Sequence, residues 1–114
     1  MPHINTKTSK HLTEKERIDL KERLGEAIAI IPGKSERWLM LSFEDGLAMS
    51  FAGDMTSDAA MIEVEILGTA TRPTYDALTA EITAIFTEVT GIPGDRVYVK
   101  YSEFSVWGYN GANF

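Results

Sequence analysis

A chain of 114 residues, 44% hydrophobic and 25% charged, has the size and make-up of one globular domain. Its net charge of −6 offers no basic surface for a phosphate backbone, which excludes nucleic acid as the expected partner. There is no cysteine for disulfide or thiolate chemistry, and no apolar run nears the roughly 18 residues of a membrane span.

The opening MPHINTKTSKHL carries no apolar signal-peptide core, so the expected compartment is the cytoplasm. Within it, PHINTK reads as a β-rich stretch. Thr13 and Glu16 fit a capping box that starts a helix. Leu20, Leu24, Ala27, Ile28 and Ile31 then form one apolar helix face. Pro32-Gly33 stops that helix, and Trp38–Leu41 reads as a strand, with a short extra strand expected around Leu47–Phe51. Met61–Leu67 is the next strand. Pro73 and Thr74 open a second helix whose stripe is Leu78, Ile82, Ile85, Phe86 and Val89, and Pro93-Gly94 is the expected stop. A strand follows from Val97, with a last short one expected around Ser105–Tyr109.

The chain repeats itself. Arg37 and Arg96 follow matching Ile-Pro-Gly turns at an offset of 59 residues, and the two helix stripes match at an offset of 58. Residues 1–114 therefore read as one domain of two halves, about 1–59 and 60–114, each β-α-β. Such units cross over with one hand and place their helices on one face of the sheet. The predicted fold is α+β: a four-stranded mixed sheet with two helices on one side. Trp38–Leu41 and Val97–Val99 are apolar at successive positions, which puts apolar side chains on both sheet faces. With helices for only one face, the pattern predicts that copies of the chain cover the other.

Both ends of the chain carry more specific marks. Met1-Pro2 opens a short strand with Asn5-Thr6, and Pro32-Gly33-Lys34 marks the first turn. Asp95-Arg96-Val97-Tyr98 precedes Trp107-Gly108-Tyr109-Asn110-Gly111 and a terminal Asn113-Phe114. In this order the chain resembles the macrophage migration inhibitory factor family of the tautomerase superfamily over essentially its whole length. The resemblance implies a homotrimer whose sheets line a central barrel. It also implies an isomerase without cofactor or metal, a keto–enol tautomerase acting on phenylpyruvate-like 2-keto acids or their enols.

The resemblance implies a role for each matching residue. Removal of Met1 would leave Pro2 with a secondary amine as general acid and base, its pKa lowered by burial and a neighbouring cation. Lys34 meets the substrate carboxylate or oxyanion. Tyr98 is the tyrosine that a neighbouring subunit sets against the pocket, and the backbone at Val64 is a substrate contact. Trp107, Tyr109 and Phe114 supply aromatic walls. Lys100 stands where the family has asparagine, so a neutral contact becomes a charge. Tyr109 replaces the tail tryptophan, and Ser57–Met61 occupies the region of the Cys-x-x-Cys of vertebrate members, so thiol–disulfide activity does not carry over.

Other residues read as structural. Arg37 and Arg96 look like repeat-equivalent scaffold positions, and His3 and His11, without partner spacing, form no metal site. Arg72 invites comparison with dehalogenases, but no accompanying acid matches. Two alternatives stay open: a cytokine-like binding protein with a vestigial site, and a dehalogenase or hydratase on the same scaffold.

Overall fold

Burial alternates along β1, Pro2–Thr8, in the computed structural model, which describes residues 1–114: Pro2, Ile4, Thr6 and Thr8 turn inward, and His3, Asn5 and Lys7 face the other way. Helix α1, Glu14–Ala27, starts on the predicted capping box, in which Thr13 Oγ1 accepts from the Glu16 amide and the Glu16 carboxylate accepts from the Thr13 amide. After the first turn comes β2, Met40–Glu44. The second half gives β3, Ala60–Leu67, α2, Arg72–Thr90, and β4, Val97–Phe104. No helix is long and apolar enough to cross a membrane.

The sheet order is β2-β1-β3-β4. β1 runs parallel to β2, β3 runs parallel to β4, and β1 is antiparallel to β3 with Pro2 opposite Ile66. The fold is thus the predicted mixed sheet of two β-α-β units. Leu20, Leu24 and Ile28 of the first half meet Leu78, Ile82, Ile85 and Phe86 of the second over Ile4, Ile62, Val64 and Ile66. Both helices therefore lie on one face, as expected.

Four details differ from the sequence reading. Trp38 is not in a strand: Glu36–Trp38 makes a short 3-10 turn, and β2 begins at Met40. Leu47–Phe51 forms no strand; Phe51 and Asp54 close only a tight turn over Ala52-Gly53, both with positive φ. α2 stops at Gly91 (φ 79°), before Pro93-Gly94, because this glycine takes the left-handed cap. The last expected strand shrinks to β5, Gly108–Tyr109, which pairs with β6, Ala112–Asn113, across Asn110-Gly111. Both turn residues have positive φ, as a two-residue hairpin turn requires.

The open face of the sheet also departs from expectation. It is polar. Glu65, His3, Ser42, Asn5, Glu44 and Glu63 join in one hydrogen-bonded chain across β3, β1 and β2, and Lys7 and Lys100 pair with Glu63. The consecutive apolar residues misled because Trp38 lies outside the strand and Met40 and Tyr98 are exposed at the sheet margins.

Candidate active site

Strand direction collects the site. β1 and β2 both start, and β3 and β4 both end, at one end of the sheet. The turn before β2 and the hairpin after β4 are therefore delivered beside Pro2. Together they enclose a pocket of about 570 Å³ lined by Met1, Pro2, His3, Arg37, Trp38, Leu39, Met40, Glu65, Trp107, Gly108 and Tyr109.

The hairpin forms one wall. The Trp107 and Phe114 backbones exchange hydrogen bonds at its base, at 2.9 and 3.4 Å. Tyr109 packs edge-on against Trp38 with ring centroids 5.1 Å apart, and Phe114 lies beyond it at 6.4 Å. Trp107 meets Phe104 at the end of β4, 5.9 Å away.

Lys34 stands at the start of β1. Its Nζ donates to the Leu67 carbonyl at 2.7 Å, while the Leu67 amide donates to the Met1 carbonyl at 3.1 Å. The Met1 α-amine here lies below its ordinary value, first through burial and then through the Lys34 ammonium.

His3 forms the polar floor. Its Nδ1 lies 2.7 Å from Glu65 Oε1 and its Nε2 lies 2.8 Å from Ser42 Oγ. Asn5 gives its amide hydrogens to Glu44 and Glu63, so its oxygen faces Ser42 and accepts the serine hydroxyl at 2.6 Å. His3 Nε2 and Ser42 Oγ share the next bond of the chain, and Glu65 is engaged by His3 Nδ1.

Of the candidate residues, Pro2, Trp107 and Tyr109 line the pocket, Lys34 and Phe114 stand just behind its lining, beside Met1 and Tyr109, and three lie apart from it. Val64 is buried within β3, flanked by Ile4 and Tyr101; the β3 residue that reaches Lys34 is Leu67. Tyr98 pairs with Met61, five residues along β3 from Ile66, about 17 Å from Pro2 along the sheet. It is exposed and packs on Phe51 at 4.9 Å. Lys100 pairs with Glu63 at 3.2 Å on the open face.

Sequence reading passed over Trp38, Arg37, His3 and Glu65 in this pocket. Trp38 and Arg37 had a signal: they occupy the short link between Lys34 and β2. His3 and Glu65 had none, since 62 residues separate them and the antiparallel register alone makes them neighbours.

Comparison with known proteins places this architecture. The family model for macrophage migration inhibitory factor matches residues 1–114. The chain belongs to the macrophage migration inhibitory factor family. It is similar to the Leishmania major protein MIF2, with 33% identity, 100% of this chain and 97% of that one covered, and a TM-score of 0.93. A homologue from Prochlorococcus marinus shares 25% identity over 98% of each chain, with a TM-score of 0.82. The fold is shared with Pt0534, solved as inactivated by 2-oxo-3-pentynoate, at 22% identity, covering 96% of this chain and 93% of that one, with a TM-score of 0.85. No curated protein matches the sequence. Family membership supports a tautomerase-like or migration-inhibitory-factor-like function.

Proposed function

We propose that this family member is a keto–enol tautomerase for phenylpyruvate-like 2-keto acids, with the Pro2 nitrogen as general acid and base. The observation that carries the reading is the placement of Pro2 at the start of β1 in a pocket walled by Trp38, Trp107 and Tyr109, with Lys34 beside the adjoining Met1 amine. With Met1 removed, the Pro2 amine takes over that setting. A neutral amine near working pH accepts a proton from C3 of the substrate. The C–H electron pair becomes the C2–C3 double bond, the carbonyl pair moves onto oxygen, and the protonated proline gives the proton to that oxygen, or back to C3 in the ketonisation direction. Trp38, Trp107 and Tyr109 suit an aryl group. Pt0534, inactivated by a 2-oxo acid, offers a chemical parallel.

The same reading includes a homotrimer. Tyr98 and Lys100 lie too far from their own Pro2 to serve it, so each acts on the pocket of a neighbouring copy. The polar open face then lines a hydrated barrel interior.

The test is the ketonisation of phenylenolpyruvate by protein shown by intact mass to begin at Pro2, beside Pro2→Gly. Turnover should fall a hundredfold or more in the variant, on the order expected for loss of a positioned base. Equal inertness of both proteins refutes the tautomerase reading and favours a binding role. For the trimer, Tyr98→Ala and Pro2→Gly chains refolded together should regain activity that neither has alone. Failure to complement would place Tyr98 outside the neighbouring site.

A further inference from the structure

Eight of the eleven lysines and arginines pair with a carboxylate of the chain, as expected where acidic residues number seventeen. Lys21, Lys34 and Arg37 do not. Of these three, Arg37 lines the Pro2 pocket and Lys34 stands beside Met1 at its edge. Arg17, Arg23, Arg72 and Arg96 all donate hydrogen bonds within the chain, and Arg37 alone does not. Its guanidinium instead lies over the Trp38 ring, 5.1 Å from the centroid, at the pocket wall. Stacking of this kind restrains the guanidinium plane and leaves its edge donors free, the geometry that grips a carboxylate in two parallel bonds. The pocket's own carboxylate, Glu65, is occupied by His3 and does not quench it.

Deprotonating a 2-keto acid creates a dianion, with one charge on the carboxylate and one on the enolate oxygen. One unpaired cation, Arg37, lines the pocket, and a second, Lys34, stands at its edge beside the Met1 amine. We propose that they divide this charge: Arg37 binds the substrate carboxylate and Lys34 the developing enolate oxygen, so that Arg37 selects 2-keto acids over neutral ketones of the same shape. Lys34 lies beside the reacting amine, where the oxygen charge develops. Arg37, three residues on and within about 11 Å by chain length, lies on the aromatic wall. This inference rests on the tautomerase reading for its chemistry, but carboxylate selection is measurable without turnover.

Both tryptophans of the chain, Trp38 and Trp107, line the pocket, so tryptophan fluorescence, excited beyond tyrosine absorption, reports on this site. The probes are 3-phenylpropanoate, which lacks the 2-keto group, and its methyl ester. Wild type should prefer the acid. Arg37→Gln should weaken acid binding about tenfold to a hundredfold, the scale of a lost charged hydrogen-bonding pair, and shift ester binding less than about twofold. Arg37→Lys should recover part of the preference. Equal acid affinity in wild type and Arg37→Gln, or equal losses for acid and ester, overturns the assignment, as does absence of any acid preference in wild type. On phenylenolpyruvate, Arg37→Gln should raise KM far more than it lowers kcat. An inert wild type that still shows the Arg37-dependent acid preference would defeat the tautomerase reading and leave carboxylate binding standing.

Discussion

Arg37 and Arg96 follow the same Ile-Pro-Gly turn in the two halves of the repeat, yet they do opposite things. Arg96 is almost enclosed, its side chain 13% exposed, and its guanidinium reaches the carbonyls of Phe51, Asp54, Ser57 and Asp58. It also lies over the Phe51 ring, and so fixes the loop that carries Phe51 against Tyr98. Within that loop, hydrogen bonds from Thr56 hold the Asp54 carboxyl well below the usual carboxylate range. Arg37 has no such loop to hold. The segment after β2 crosses to β3 and lies over the second turn, whereas only the C-terminal hairpin reaches the first. Duplication supplied two equivalent cations, and the connections between halves decided that one became scaffold and the other stayed free.

Substitutions can break or sharpen that contrast. The largest stability effect expected is Arg96→Ala. Losing its carbonyl contacts should cost about 2–4 kcal/mol in urea unfolding, with a fold that survives but a loosened loop. A change below about 0.5 kcal/mol would show that the loop holds itself.

Glu63 is another group held by its surroundings. The Asn5 amide, and then Lys100 and Lys7, keep its carboxyl at about 2 against an ordinary 4.5. As pH falls, the unfolded chain takes up the proton first. The stability this supplies is therefore complete above about 4.5 and lost as pH falls toward about 2. Because water screens this face, Glu63→Gln should cost only ~1 kcal/mol at pH 7. The gap between variant and wild type should close in unfolding measured near pH 2 at fixed protein concentration. A gap that persists there would assign the loss to packing.

Thr6 shows the reverse case, a buried polar atom held by nothing. Its hydroxyl is fully buried without a partner. Thr6→Val should raise stability by up to about 1 kcal/mol; a loss of similar size would reveal a hydrogen bond to that oxygen. Smallest of all, Arg37→Gln should leave stability within about 0.5 kcal/mol of wild type, since the side chain supports no contact except the Trp38 ring. A large loss would make Arg37 a second scaffold cation and end the contrast.

Much of the fold was legible before any coordinates. The Thr13–Glu16 cap, the two helix stripes and the repeated turns depend on spacing along a few neighbouring residues, and local spacing is what a sequence displays. The apolar strands misled where local pattern meets tertiary placement: Trp38 fits a strand by composition but sits in a 3-10 turn that aims it at Pro2. Leu47–Phe51 likewise has strand-forming residues but no neighbouring strand to pair with, so Arg96 captures its end as a turn.

Spacing along the chain carried both helices, the four long strands in their order and the single helix-covered face, and the family motifs named Pro2, Trp107 and Tyr109 in the pocket with Lys34 and Phe114 beside it. Those follow from periodicity, caps, turns and family motifs. Packing in three dimensions set the rest: that His3 meets Glu65, that Lys34 reaches the Leu67 carbonyl, and that Arg37 stays unpaired while Arg96 does not. Each of these depends on the register between strands dozens of residues apart and on which loop crosses which turn. No local spacing encodes either.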